Sequence, residues 1–119
     1  MPAIRRRLAL EQGAVYRDVI RLKQPDGTPV DLTGCTARMQ IRTLDGRLLL
    51  DLSTPPGSGL VIDGPAGVIH RRITAGQTAL LPIDGGLYDL EITPPAGPDD
   101  TWRLYQGAVS VSAEVTRDD

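Results

Sequence analysis

The sequence predicts one small all-β domain, a sandwich or barrel of short strands. Three observations predict it. Glycine (13) and proline (10) are abundant for 119 residues, and both punctuate turns. Between those turns, apolar and polar side chains alternate with the period of a strand. Residues 74–81 carry the one credible helical turn, with Thr74 placed to cap and Gln77 placed to reach back in a capping box. The length suits a single domain, here residues 1–119. A chain of this size buries about two-thirds of its unfolded surface, enough for a core without covalent staples.

From Ala3 to Lys23 the apolar residues fall in two runs. Leu8-Ala9-Leu10 ends at Glu11-Gln12-Gly13, and Ala14 to Leu22 follows. The Val19-Ile20 pair interrupts alternation, which predicts a bulge or a strand buried on both faces. A short helix is the weaker alternative. Gln24-Pro25-Asp26-Gly27 is a turn, because Pro presets φ and Asp-Gly tolerates positive φ. Thr28 to Gly34 reads as an extended crossover. Thr36 to Thr43 is the cleanest half-buried strand, with Ala37, Met39 and Ile41 on one face and Arg38, Gln40 and Arg42 on the other.

Asp45-Gly46 is a hairpin turn leading to a return strand, Leu48 to Leu52. Ser53 to Gly59 is loop, Leu60 to Ile62 a short strand, and Asp63 to Gly67 a turn. Val68 to Ile73 pairs back, and Pro82 ends the helical turn. Leu87 to Thr93 is a strand with Tyr88, Leu90 and Ile92 on one face. Pro94 to Asp100 is a hairpin tip. Trp102 to Gln106 and Ala108 to Val115 close the chain, with Val109, Val111, Ala113 and Val115 alternating.

With no Phe, one Trp and three Tyr, the core is expected to be Val, Ile, Leu and Ala. The formal net charge of −2 argues against nucleic acid as the main partner, since phosphate binding wants a basic surplus. Arg5-Arg6-Arg7 is a local exception: a solvated arm or edge strand, or a basic patch for an acidic partner. No apolar run is long enough for a membrane span, and the N-terminus lacks the apolar region of a signal peptide. The expected setting is therefore a cytosol, with no membrane partner. Cys35 is the lone cysteine, which excludes an intrachain disulfide and reads as a small buried hydrophobe.

The parts of an enzyme are missing. His70 is the only histidine, too few for a His/Cys metal site. Ser53, Ser58, Ser110 and Ser112 lack a nucleophile-elbow context, and His70 sits in a strand beside Arg71 and Arg72. Most acids lie at turns, where Asp bonds its own backbone. No calcium loop and no glycine-rich phosphate loop occurs, so no cofactor, metal or catalytic residue is expected. The candidate interface residues are Arg5, Arg6, Arg7, Trp102 and Tyr105, the last two as aromatic anchors or as core filling. Arg38, Arg42 and Arg47 read as a solvated face. Alternation puts Arg71 and Arg72 on opposite faces, one of them available for docking.

The run Asp26-Gly27-Thr28-Pro29-Val30-Asp31-Leu32-Thr33-Gly34-Cys35-Thr36-Ala37-Arg38-Met39-Gln40-Ile41-Arg42 resembles a motif of small phage and prophage structural proteins. These include the N-terminal domain type of the baseplate upper protein family. Gln12-Gly13, Thr74 to Leu81, Gly86-Leu87-Tyr88-Asp89-Leu90-Glu91 and Leu104 to Val109 extend the resemblance over nearly the whole chain. Cys35 departs from it, standing where an aromatic is common.

The resemblance implies an immunoglobulin-like antiparallel β-sandwich of about 7–9 strands. It implies a virion structural protein of the tail, baseplate or neck, assembled in the host cytoplasm, with other virion proteins as partners and a symmetric homo-oligomer in the particle. It carries no catalytic residues. Residues 1–8 are the expected contact arm. The alternatives are a carbohydrate- or receptor-binding sandwich, which needs aromatics grouped on one surface, and a capsid decoration protein. An assembly factor absent from the mature particle is a further one.

Overall fold

A computed structural model describes residues 2–55 and 58–116. Met1 of the expected arm, Pro56 and Gly57 of the expected loop, and residues 117–119 lie outside the described residues. The strands are β1 (Ile4–Arg5), β2 (Leu8–Glu11), β3 (Tyr16–Arg21), β4 (Thr36–Arg42), β5 (Leu48–Ser53), β6 (Leu60–Asp63), β7 (Val68–Ile73), β8 (Gly86–Thr93) and β9 (Trp102–Ser112). One helix, α1 (Ala75–Ala79), joins β7 to β8, and a 3-10 turn at Pro98–Asp100 shapes the β8–β9 hairpin.

Two sheets face each other. The larger runs β1-β9-β8-β4-β5 with β2 also on β9, and the smaller runs β3-β7-β6. This is the strand order of an immunoglobulin-type sandwich, with the first long crossover, residues 22–35, carrying the chain from β3 to β4. The fold is thus all-β and immunoglobulin-like, with one short helical turn. It departs from a fully antiparallel sandwich at one place: β1 and β2 both pair parallel with β9. The N-terminal strands therefore belong wholly to the larger sheet, and β3 is left as an edge of the smaller one.

The local chemistry explains the elements. In β4, Ala37, Met39 and Ile41 are buried while Arg38 and Arg42 are exposed, the pleat sending alternate side chains to opposite faces. At the crossover, the Thr28 and Thr33 amides donate to Asp26 and Asp31 carboxylates at 3.0 and 2.9 Å, bending the chain with Asx turns. Leu22 N–H then donates to Gly67 O and Leu32 N–H to Gly64 O, tying the crossover to the β6–β7 turn. Gly67 sits at φ +66, and a side chain there would run into the backbone of Leu22 and Val30. Thr74 and Gln77 form the expected capping box, at 3.1 and 2.9 Å. A helix of five residues has little stability of its own, so this cap and the buried Thr78 hold it.

Several expectations are corrected. β3 has neither a bulge nor two buried faces: Tyr16, Asp18 and Ile20 point inward and Val19 points out, in unbroken register with β7. The last two segments form one strand through Gly107, and it ends at Ser112. Ala113 and Val115 are exposed, because β2 stops opposite Ser112 and nothing pairs beyond it. The core is chiefly Leu and Ile, and it takes in Met39, Tyr88 and Tyr105 as well. A register shift between Leu90 and Glu91 gives β9 an extra residue, so Leu104 and Tyr105 both turn inward.

Candidate functional site

Between the sheets lies a polar centre that sequence reasoning missed. Arg71, on β7, is only 3% exposed. Its Nε donates to Asp18 Oδ1 at 2.8 Å and a second nitrogen donates to Oδ2, a bidentate pair across neighbouring strands. A third nitrogen reaches Met39 Sδ on the opposite sheet at 3.6 Å. The Tyr16 and Tyr105 rings lie 5.9 and 5.8 Å from the guanidinium. Burial opposes the charge, but the hydrogen bonds and charge of Asp18 outweigh it and hold the guanidinium above its ordinary value. Tyr16, which donates to Asp18 at 2.9 Å, is pushed up to about 12 by burial, against the pull of Arg71. Burial also raises Tyr88, again opposed by Arg71. All three tyrosines of the chain thus gather on one arginine.

This centre also fixes the N-terminal edge. Tyr88 Oη donates to Arg6 O at 2.7 Å, and Arg6 N–H donates to Gln106 O at 2.9 Å. The Arg6 guanidinium covers the Tyr105 ring at 4.9 Å. Gly107 makes the approach feasible, since any side chain there would collide with the Arg6 carbonyl. Residues 4–8 are accordingly laid along β9, with Leu8 in the core and Ile4, Arg5, Arg6 and Arg7 exposed.

The outward face of the larger sheet is the second surface. Cross-strand register arranges it in rows. One row reads Leu48, Arg42, Leu87, Ala108, and the next reads Asp51, Gln40, Asp89, Gln106, Arg5. Arg38 pairs with Asp51 at 3.0 Å and Arg103 with Asp89 at 3.3 Å. Arg42 donates to Gln40 and to Gly46 O. A concavity of about 500 Å3 opens here, lined by Arg5, Arg42, Leu44, Leu87, Asp89 and Arg103 among others. Arg38 and Arg42 are exposed on a solvated face, as expected, and are ordered there by an ion pair to Asp51 and by hydrogen bonds to Gln40 and Gly46 respectively. Arg47 is exposed beside them.

The candidate interface residues do not form one patch. Arg5 lines the concavity, Arg6 covers Tyr105, and Tyr105 itself is 6% exposed. Trp102 pairs opposite Ile92 and packs partly buried on the core. Tyr105 is thus a core residue and not a surface anchor, the bulge at Leu104 having turned it inward. Arg71, offered for docking by one reading of the alternation, is likewise committed to the core, while Arg72 is exposed. Tyr88 and Tyr105 are buried and Tyr16 and Trp102 half-buried, so the aromatic platform that a sugar-binding reading needs is not formed.

His70 is exposed on the outward face of the smaller sheet between Val19 and Val61. Cys35 is half-buried, and burial and then the Asp31 charge push its thiol up, away from the reactive thiolate. Among the described residues no three His, Cys, Asp or Glu side chains gather as a metal site, and no helix is long and apolar enough to cross a membrane.

No family model matches the chain, and no curated protein matches it. Among solved structures it is similar to the extracellular domains of the voltage-gated sodium channel beta4 subunit, whose parallel homodimers are described as explaining its role in cell–cell adhesion. The identity is 10% over 93% of each chain, with a TM-score of 0.49.

Proposed function

We propose that the chain is a bacteriophage virion structural protein, a tail, baseplate or neck component that works through protein–protein contacts and performs no catalysis. The observation that carries this reading is the run Asp26–Arg42, followed in order by Thr74–Leu81, Gly86–Glu91 and Leu104–Val109, in a chain of one-domain length. The physical character of the surface supports it. The outward face of the larger sheet is a mixed array of ion pairs, amides and leucines, the composition of a wet, specific contact rather than of a ligand cleft. On this reading the protein assembles in the host cytoplasm, ends in the particle, and meets other virion proteins and further copies of itself.

The test is direct. Antibody against the purified chain is applied to purified particles from a producing strain, by immunoblot and by cryo-electron microscopy with labelled antibody. The expected result is a fixed copy number at one place on the tail, baseplate or neck. Particles free of the chain overturn the proposal. The N-terminal contact is tested with Arg5→Glu and Arg7→Glu rather than by deleting residues 1–8. Deletion would remove the buried Leu8 and the Arg6 cover of Tyr105 along with any contact.

A further inference from the structure

We propose that the tip of the β8–β9 hairpin docks into the arginine-lined concavity of a second copy of this chain, joining copies head to tail. The tip is Pro94-Pro95-Ala96-Gly97-Pro98-Asp99-Asp100. Pro95, Ala96, Pro98, Asp99 and Asp100 are exposed, so it presents apolar rings and two carboxylates together. Among the described residues no cation lies within ion-pair distance of either aspartate. Three prolines and the 3-10 turn stiffen it, so little chain entropy is lost on docking.

The concavity offers the complementary chemistry. Arg5, Arg42 and Arg103 stand against the single acid Asp89. Among the described residues, neither Arg5 nor Arg42 has a carboxylate within ion-pair distance. Leu44 is 82% exposed and Leu87 48%, an apolar floor with nothing on it. Prolines over leucines and aspartates over arginines match in both polarity and sign.

The geometry makes the contact intermolecular. β8 runs from Gly86 to Thr93 beside the tip, so the end of the concavity formed by Arg42 and Leu87 lies about 20 Å of strand away from the tip of the same molecule, while Arg103 lies nearer to it. Arg42 and the two leucines thus stand toward the end of the sheet opposite the tip, out of reach of the tip of their own molecule. A contact of this kind is heterologous, and it generates a ring if the rotation closes or a filament if it does not. It deepens the contact-module reading, but it depends only on the chain itself and not on a particle.

Sedimentation velocity of the full chain, over a wide concentration range and at about 0.05 and 0.5 M salt, reads it out. Concentration-dependent association that weakens at high salt is expected. Asp99→Lys/Asp100→Lys and Arg5→Glu/Arg42→Glu should each weaken it by on the order of tenfold, with circular dichroism unchanged. Mixing the two variants should restore association, because the reversed tip of one then faces the reversed site of the other, and the native tip of the second faces the native site of the first. A chain that stays monomeric throughout overturns the proposal. So does association indifferent to both variants, or lost instead with Arg17→Glu/Arg72→Glu on the outward face of the smaller sheet. Absence from particles with association intact would sink only the virion reading.

Discussion

The Asp18–Arg71 pair gives the sharpest test of how this core is held. Asp18→Asn keeps the shape and removes the counter-charge. Arg71 cannot shed its proton to escape, and at 3% exposure water cannot replace the carboxylate. An unpaired buried charge costs about 3–5 kcal/mol. The Asp18 side chain is 29% exposed, which admits some water from that side, and two tyrosine faces remain within 6 Å of the guanidinium. The lower end, about 3 kcal/mol, is therefore expected.

Arg71→Met leaves a carboxylate that can hydrate and a side chain that fills the space, at about 1–2 kcal/mol. The double variant Asp18→Asn/Arg71→Met leaves no orphan charge and should fall within about 1 kcal/mol of the parent. The coupling energy is then about 3 kcal/mol or more. Urea unfolding followed by fluorescence of the single Trp102 measures all four proteins. If the double variant loses the sum of the singles, or Asp18→Asn costs less than about 1 kcal/mol, the reasoning fails.

Three further outcomes follow from the same geometry. Gly107→Val should push the Arg6 carbonyl off β9 and break the Tyr88 contact, raising hydrogen exchange at Arg6 while β8–β4 amides stay protected. Unchanged exchange at Arg6 would count against it. Thr28, Thr33 and Thr43 hydrogen bonds hold the Asp26, Asp31 and Asp45 carboxyls below their usual range. With folded values lowered, their stabilisation is present above the unfolded carboxylate pKa near 4 and is lost as pH falls through the folded values. Denaturant midpoints measured from neutral pH down into that range should decline, and less so in Asp31→Asn. Tyr16 has the opposite sign: its pKa is raised from 10.0 to about 12, so its contribution is intact below 10.0 and is lost as pH rises toward 12. Absorbance titration of tyrosinate should show the late-titrating group disappear in Tyr16→Phe.

Much of this molecule was legible in the order of its residues. The alternation of Ala37, Met39 and Ile41, the Asp45-Gly46 turn and the Thr74/Gln77 box each act over a few residues, and local chemistry settled them. The polar centre was half-legible. Arg71 shares the parity of Ile69 and Ile73, and Asp18 that of Ile20, so both stood in inward rows. Reading each strand alone hid the pair, because β3 and β7 are 53 residues apart where the two side chains meet.

The sequence by itself determined a turn-rich β-sandwich with one capped helical turn, since period and turn residues are local properties. Only the tertiary structure decided that Tyr105 is core and Arg6 its cover, since a bulge at Leu104 and a glycine opposite Arg6 act across strands distant in the chain. Strand pairing likewise decided which arginines share a face. Arg5, Arg42 and Arg103 come from three separate strands and meet in one concavity only because β1, β9, β8 and β4 lie side by side.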